Sequence, residues 1–108
     1  MAHKFVIVSF PGEQEGMLLC GDVGQHRDLV HEFEQRTGRY VRVHGGGWYH
    51  QNERDRIFTL YGQSGDYGRP QLAWMNCLPG YLKGYRFVFT TSPNLPGNEL
   101  DLEKVCWF

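Results

Sequence analysis

One histidine of this chain stands where a helix is expected to begin. An apolar stripe at helical spacing runs through Gln25–Thr37, and Gly38 follows as a typical C-terminal stop. His26 therefore lies near a helix N-terminus, where unpaired N–H groups and a positive partial charge attract anions. Such a position lowers the pKa of a histidine and favours the neutral ring, which can act as a base. The alternative is an exposed histidine with no chemical task.

Two other segments carry groups that bind anions. Lys4 begins a predicted strand, from which its ammonium group can reach a neighbouring pocket or can simply be solvated. The turn that contains Ser64, Gly65 and Asp66 can direct several N–H groups at one anion, although a plain turn has the same composition. The two histidines that flank the triple glycine lack a third ligand at regular spacing, so we expect no metal site and no cofactor.

The composition limits the classes of function. With 108 residues we expect one domain over 1–108 with a single core. The net charge of −1 lacks the basic excess of a nucleic-acid-binding protein, so we expect no nucleic-acid partner. That charge also disfavours binding of single strands by exposed Trp48, Tyr49 and Trp74. No apolar window reaches the length of a membrane span and no signal-peptide pattern is present, so we expect no membrane partner. We also expect the protein to be a monomer.

The cysteines indicate a reducing compartment. Cys20, Cys77 and Cys106 are odd in number and far apart in the sequence. This usage argues against a disulfide framework and against a cysteine zinc site. We expect all three to be small buried hydrophobic residues in a cytoplasmic protein.

The order of apolar patterns predicts an α+β fold with one mixed β-sheet and two helices packed on it. Asp22 or Gly24 is expected to cap the first helix, and the triple glycine is expected to form a turn. Within the tail over 92–108, Ser92–Asn98 is expected to be a loop and Leu100–Phe108 either a last strand or a short helix. The predicted strands are Lys4–Phe10, Met17–Cys20, Arg39–His44, Trp48–Gln51, Arg56–Tyr61 and Tyr85–Thr90, and the predicted helices are Gln25–Thr37 and Pro70–Cys77.

The central part of the chain resembles one family in several short motifs at matching spacing. The motifs are a triple glycine, a His-Gln pair, a hairpin that ends in Tyr-Gly, a serine, and a second Tyr-Gly followed by glutamine. Two further motifs are a His-x-Asp at the head of the first helix and a Lys-aromatic-Val in the first strand. The residues that match are Gly45-Gly46-Gly47, His50-Gln51, Tyr61-Gly62, Ser64, Tyr67-Gly68, Gln71, His26-Arg27-Asp28 and Lys4-Phe5-Val6. Over about Lys4–Gln71 the chain thus resembles the small protein phosphohistidine phosphatases of the Janus/ocnus type.

The resemblance implies a metal-independent phosphatase that acts on phosphohistidine in a phosphorylated protein substrate. His26 would be the catalytic residue, and the sequence leaves open whether it activates a water molecule as a base or attacks phosphorus directly. We favour the base role. The phosphoryl oxygens would be held by Lys4, Arg27, Ser64, Gly65 and Asp66.

The chain departs from the family pattern in three ways near this site. Trp48 stands where the family has an arginine after the triple glycine, and Asp66 adds a carboxylate to the serine turn. The arginine that the family carries before its first helix has no equivalent among Met17–Gly21. These changes remove positive charge and add negative charge near the expected phosphate. They motivate a second hypothesis, a protein of the same fold that binds a phosphorylated or other anionic ligand without hydrolysing it.

Overall fold

A computed structural model describes residues 3–102 and 104–108, and a single eight-stranded mixed sheet forms its framework. The strand order across the sheet is β7-β6-β4-β3-β1-β2-β5-β8. Parallel pairing joins β4 to β6, β2 to β5 and β5 to β8, and the other neighbours are antiparallel. The bounds are β1 His3–Ser9, β2 Met17–Asp22, α1 His26–Thr37, β3 Arg42–Asn52, β4 Ile57–Tyr61, β5 Cys77–Leu78, β6 Arg86–Thr90, β7 Asn98–Glu99 and β8 Cys106–Trp107.

Strand β1 lies at the centre of the sheet and is covered on both faces. Because side chains alternate along a strand, Phe5 and Ile7 point to one face and Val6 and Val8 to the other, and none of the four is accessible to solvent. Helix α1 covers the second face, where its apolar stripe packs on Val6 and Val8. The hairpin β3–β4, predicted from the sequence, is confirmed by their antiparallel register.

The prediction of two helices was wrong, because α1 is the only α-helix among the described residues. Over Pro70–Cys77 the chain forms one 3₁₀ turn, Leu72–Trp74, and then enters β5. The N–H groups of Asn76 and Cys77 donate to the carbonyl of Gly16, at 3.2 and 2.9 Å, instead of to carbonyls one turn earlier. A tertiary partner thus replaces the helical hydrogen bonds, and the fold is mostly sheet.

The C-terminal tail adds the last strand and covers the face opposite α1. Leu100, Leu102 and Trp107 pack on the cluster that contains Phe5 and Ile7. The open alternative between a strand and a helix is resolved by β8, a two-residue strand parallel to β5. No helix in the described part of the chain has the length and apolar character needed to cross a membrane.

The expectation that all three cysteines are buried and unpaired was also wrong. Cys77 and Cys106 form a disulfide, and their Cα atoms are 4.5 Å apart across β5 and β8. Only Cys20 is a free thiol, and burial raises its pKa to about 12. The two bonded residues are 29 positions apart in sequence, so only the sheet register reveals that they are neighbours.

The triple glycine does not form the expected turn, because all three residues lie inside β3. A β-bulge separates the pair Val6–Gly46 from the pair Val8–Val43, and Gly45 adopts a φ of +87° at this irregularity. The glycines allow neighbouring backbone to come very close. A Cβ atom on Gly46 would lie only 2.4 Å from the carbonyl oxygen of Phe5.

We expect Gly46→Ala to lower the free energy of unfolding by about 1–3 kcal/mol, because the new methyl group must displace the backbone of β1. The matched control is Gly65→Ala, since no atom lies within 4 Å of its added Cβ. We expect the control to stay within about 1 kcal/mol of the wild type. Urea unfolding of the three proteins checks this, and equal loss in both variants would contradict the steric explanation.

Candidate functional site

The N-cap of α1 is Gln25, the residue before His26, and its N–H group donates to the carboxylate of Asp28 at 2.9 Å. The predicted cap at Asp22 or Gly24 was therefore wrong by one to three residues. The next two N–H groups, those of His26 and Arg27, have no acceptor within a helix that starts here. They supply two donors and the positive end of the helix dipole at the point where the His26 ring lies.

The His26 side chain is oriented by a hydrogen bond to the backbone of β3. Its Nε2 atom lies 2.8 Å from the carbonyl oxygen of Gly47. Because a carbonyl oxygen can only accept, Nε2 carries the proton, and Nδ1 keeps its lone pair in the neutral ring. The ring is also held by an edge contact with Trp48 at 5.0 Å between centroids, and the residue is only 3% exposed. This arrangement fixes the tautomer that a base or nucleophile at Nδ1 requires.

The environment lowers the pKa of His26. Burial is the largest cause, and the charge of Lys4 acts in the same direction. The hydrogen bond to Gly47 and the charge of Asp66 oppose it, but the net pKa stays below the ordinary value of 6.5. The ring is therefore neutral at pH 7, as the helix-start argument anticipated, although burial contributes more than any other cause.

Lys4 lies beside His26 on the same face of the sheet. It pairs with Trp48 across β1 and β3, and its Nζ atom donates to the carbonyls of Val23 and Gly24, at 3.3 and 2.7 Å. These carbonyls belong to the loop that leads into α1. The ammonium group is thus held at the helix N-terminus, with its third proton free of these two bonds.

The Ser64 turn is compact, and its hydroxyl already accepts hydrogen bonds. The N–H groups of Asp66 and Tyr67 donate to Ser64 Oγ at 3.2 and 3.1 Å, and Ser64 is 2% exposed. These bonds close a serine turn on itself, so the Asp66 and Tyr67 N–H groups are engaged by Ser64 Oγ and are not directed at an outside anion. Because Ser64 Oγ accepts both of these bonds, its own hydroxyl proton can be donated to another group.

Gly46 and Gly47 connect the Ser64 turn to His26. The carbonyl of Gly46 accepts the N–H of Ser64 at 2.8 Å, and a Cβ atom on Gly46 would lie 3.3 Å from Cδ2 of His26. The carbonyl of Gly47 is the acceptor for the His26 ring. Two adjacent glycines of β3 therefore contact both the histidine and the serine turn, which places these two predicted site elements side by side.

The remaining predicted residues lie at the edge of this cluster. Gly65 and Asp66 are exposed, and the Asp66 carboxylate is close enough to influence His26. Arg27 is exposed as well, and its charge lowers the pKa of Tyr67, which burial raises above its ordinary value. The structure thus brings His26, Lys4 and the Ser64 turn with Asp66 together, whereas the Arg27 side chain lies at the periphery.

Sequence reasoning missed a second buried histidine, which packs behind the bulge of β3. His44 Nε2 lies 2.7 Å from the hydroxyl of Ser9, and its ring stacks on Trp74 with centroids 4.0 Å apart. Both Ser9 and His44 are buried. The pair therefore stabilises the packing of β1 on β3, and His50, the other histidine that flanks the glycines, is exposed.

The aromatic residues considered for stacking on nucleic acid are not an exposed set. Trp74 stacks on His44, Tyr49 stacks on Phe58 at 4.9 Å, and Trp48 packs against His26. Each of these three side chains, Trp48, Tyr49 and Trp74, is partly buried. The premise of the stacking idea was therefore wrong.

A scan against protein-family models finds no match for this chain, and a search of curated proteins finds none either.

We expect the free energy of unfolding to fall as the pH decreases through 6.5. His26 and His44 both have a pKa below that value in the folded protein, mainly because of burial, so the unfolded chain binds more protons in this range. Urea unfolding at several pH values measures the slope. His26→Gln and His44→Gln should each flatten it, and a His26 ring that titrates above 6.5 by NMR would contradict the explanation.

Proposed function

We propose that this protein is a phosphatase that hydrolyses phosphohistidine in a phosphorylated protein. The observation that carries the proposal is the bond from His26 Nε2 to Gly47, because it leaves the lone pair on Nδ1 of a histidine that starts a helix. The resemblance of the central motifs to the Janus/ocnus-type phosphatases supports the choice of substrate.

In the proposed reaction, Nδ1 of His26 accepts a proton from a water molecule as that water attacks phosphorus. The P–N bond breaks, the leaving nitrogen of the substrate histidine takes up the proton that His26 holds, and inorganic phosphate is released. A loose phosphoryl-transfer transition state needs mainly positioning and charge stabilisation, so a neutral histidine at pH 7 suffices as the base. Direct attack by Nδ1, with a transient phosphoryl group on His26, uses the same atom and remains the alternative chemistry.

The phosphoryl oxygens would be bound by the Lys4 ammonium group, the N–H groups at the start of α1 and the Ser64 hydroxyl. Lys4 lies at the helix N-terminus through its bonds to Val23 and Gly24, and the His26 and Arg27 N–H groups complete that side. The Ser64 hydroxyl, which accepts two N–H bonds, donates its proton to a third oxygen. Lys4 offsets part of the phosphate charge and the N–H and O–H groups donate to its oxygens, so the proposal requires no metal ion.

The second candidate is a protein that binds a phosphorylated ligand but does not hydrolyse it. The observation in its favour is Asp66, an exposed carboxylate whose charge reaches His26 and would repel a phosphoryl group in the same place. A titration with a phosphohistidine peptide, combined with a turnover assay, separates the two functions. Binding without phosphate release favours the second candidate.

A monomeric state and a cytoplasmic location are parts of the same proposal. Cysteine usage does not support a cytoplasmic location, because Cys77 and Cys106 are bonded to each other. The proposed substrate class, a phosphorylated protein, is what supports it.

We expect His26→Ala to reduce phosphate release from a phosphohistidine substrate by about 10²–10⁴-fold, because the general base is lost. The control is His31→Ala, since His31 is an exposed residue of the same helix and should leave the rate unchanged. The assay is run with chelator present. In the wild type, activity should decline below pH 6.5 as His26 becomes protonated. Equal rates in His26→Ala and the wild type would sink the assignment.

We expect Lys4→Met to lower kcat/KM by about 10²-fold or more, because one charged donor to the transferring group is removed. Lys83→Met is the matched control, since Lys83 is exposed and directly follows the 3₁₀ turn Gly80–Leu82, outside β1. Steady-state kinetics of both variants, with circular dichroism as a check on folding, test the role of Lys4. A similar loss in both variants would argue for a general charge effect instead.

A further inference from the structure

A second cluster of reactive groups lies at the Cys77–Cys106 bond and is not used by the proposed phosphatase. One carboxylate oxygen of Glu15 and the two sulfur atoms all lie within 4.8 Å of one another. Glu15 Oε2 is 3.8 Å from the sulfur of Cys77. Glu15 and Cys106 are exposed, so both ions and reductants can reach the cluster.

The backbone that carries Glu15 is fixed to the backbone that carries Cys77. The Gly16 N–H donates to the Asn76 side-chain oxygen at 3.0 Å, and the Gly16 carbonyl accepts the N–H groups of Asn76 and Cys77. Three hydrogen bonds therefore hold the backbone next to Glu15 against the backbone of Asn76 and Cys77, and this approach of the two segments does not depend on the disulfide.

The third residue is held in the same way by the pairing of β8 with β5. The Cys106 N–H donates to the Asn76 carbonyl and the Phe108 N–H to the Leu78 carbonyl, both at 2.9 Å, while the Gly80 N–H donates to the Phe108 carbonyl. These bonds run through the backbone alone. Reduction of the disulfide thus leaves two thiols on paired strands.

We propose that Cys77, Cys106 and Glu15 bind one thiophilic divalent cation, such as Zn²⁺, when the disulfide is reduced. Two thiolates and a carboxylate are ligands that zinc accepts, and a water molecule or an external ligand would fill the fourth position. Zn–S distances of about 2.3 Å in a tetrahedral site place the sulfur atoms about 3.7–3.8 Å apart. The S–S bond must therefore be broken before the ion can bind.

The redox step is a thiol–disulfide exchange with a dithiol reductant. One reductant thiolate attacks a protein sulfur, the S–S bond breaks, and the second reductant thiol displaces the protein to form the oxidised reductant. The protein gains two thiol groups, and their two protons are released when the metal binds. The disulfide and the metal site are thus alternative ways of joining β5 to β8.

The test uses the full chain with Co²⁺ as a spectroscopic probe, in reduced and oxidised forms. We expect the reduced protein to bind one ion and to show a thiolate-to-cobalt charge-transfer band, and the oxidised protein to show none. Zn²⁺ should displace the probe and protect Cys77 and Cys106 from alkylation, as read by mass spectrometry, until chelator is added. Cys20→Ser is the matched control and should behave like the wild type, because Cys20 is half-buried and is not one of the three clustered ligands.

Glu15→Gln tests the carboxylate without disturbing the core, since Glu15 is exposed. We expect at least a tenfold weaker affinity for Co²⁺ with the thiolate band retained. Failure of the reduced wild type to bind cobalt or zinc would overturn the proposal, as would binding that survives prior alkylation of Cys77 and Cys106. Unchanged affinity in Glu15→Gln would overturn the three-residue site. These readouts do not involve phosphatase activity, so they stand or fall separately from the proposed function.

Discussion

The candidate site depends on how closely the β3 backbone approaches its neighbours at the triple glycine. At Gly46 the strand passes so near to Phe5 that no side chain fits between them, and the same missing side chain makes room for the His26 ring. One residue further, the Gly47 carbonyl is the acceptor that fixes the ring. The glycines therefore act first through packing, and the tautomer of the histidine is a consequence of that packing.

The charge state of the site is set by opposing contributions of different strength. Burial and the ammonium group of Lys4 favour the neutral His26 ring, while Asp66 favours the protonated ring. Because Asp66 is exposed, its charge is screened by solvent more strongly than that of a buried group. Burial therefore dominates, which is why a carboxylate near the site is compatible with a neutral histidine at pH 7.

The parts of the fold that the sequence predicted are those determined by local pattern. Helix α1 follows from a stripe of apolar residues and a glycine stop, and β6 follows from a run of aromatic and β-branched residues. The position of His26 at the helix start could be predicted for the same reason. Its acceptor at Gly47 could not, because that contact joins residues 21 positions apart through the sheet register.

The segment between Gly68 and β5 shows why a local pattern can fail. It has the composition of a short helix, yet it lies against two other parts of the chain at distances that only glycine permits. A Cβ atom on Gly45 would lie 2.0 Å from the Arg69 carbonyl oxygen, and one on Gly16 would lie 1.9 Å from that of Trp74.

Each contact brings a carbonyl or N–H group of the segment to a partner outside it, as in the bond from Gln71 N–H to the His44 carbonyl at 2.8 Å. A helix would have satisfied those groups internally and could not have joined β2 to β3 in this way. Gly45, which was predicted to lie in a turn, and Gly16 are thus the positions where this segment packs against the sheet, and the contact at Gly16 brings Cys77 beside Glu15.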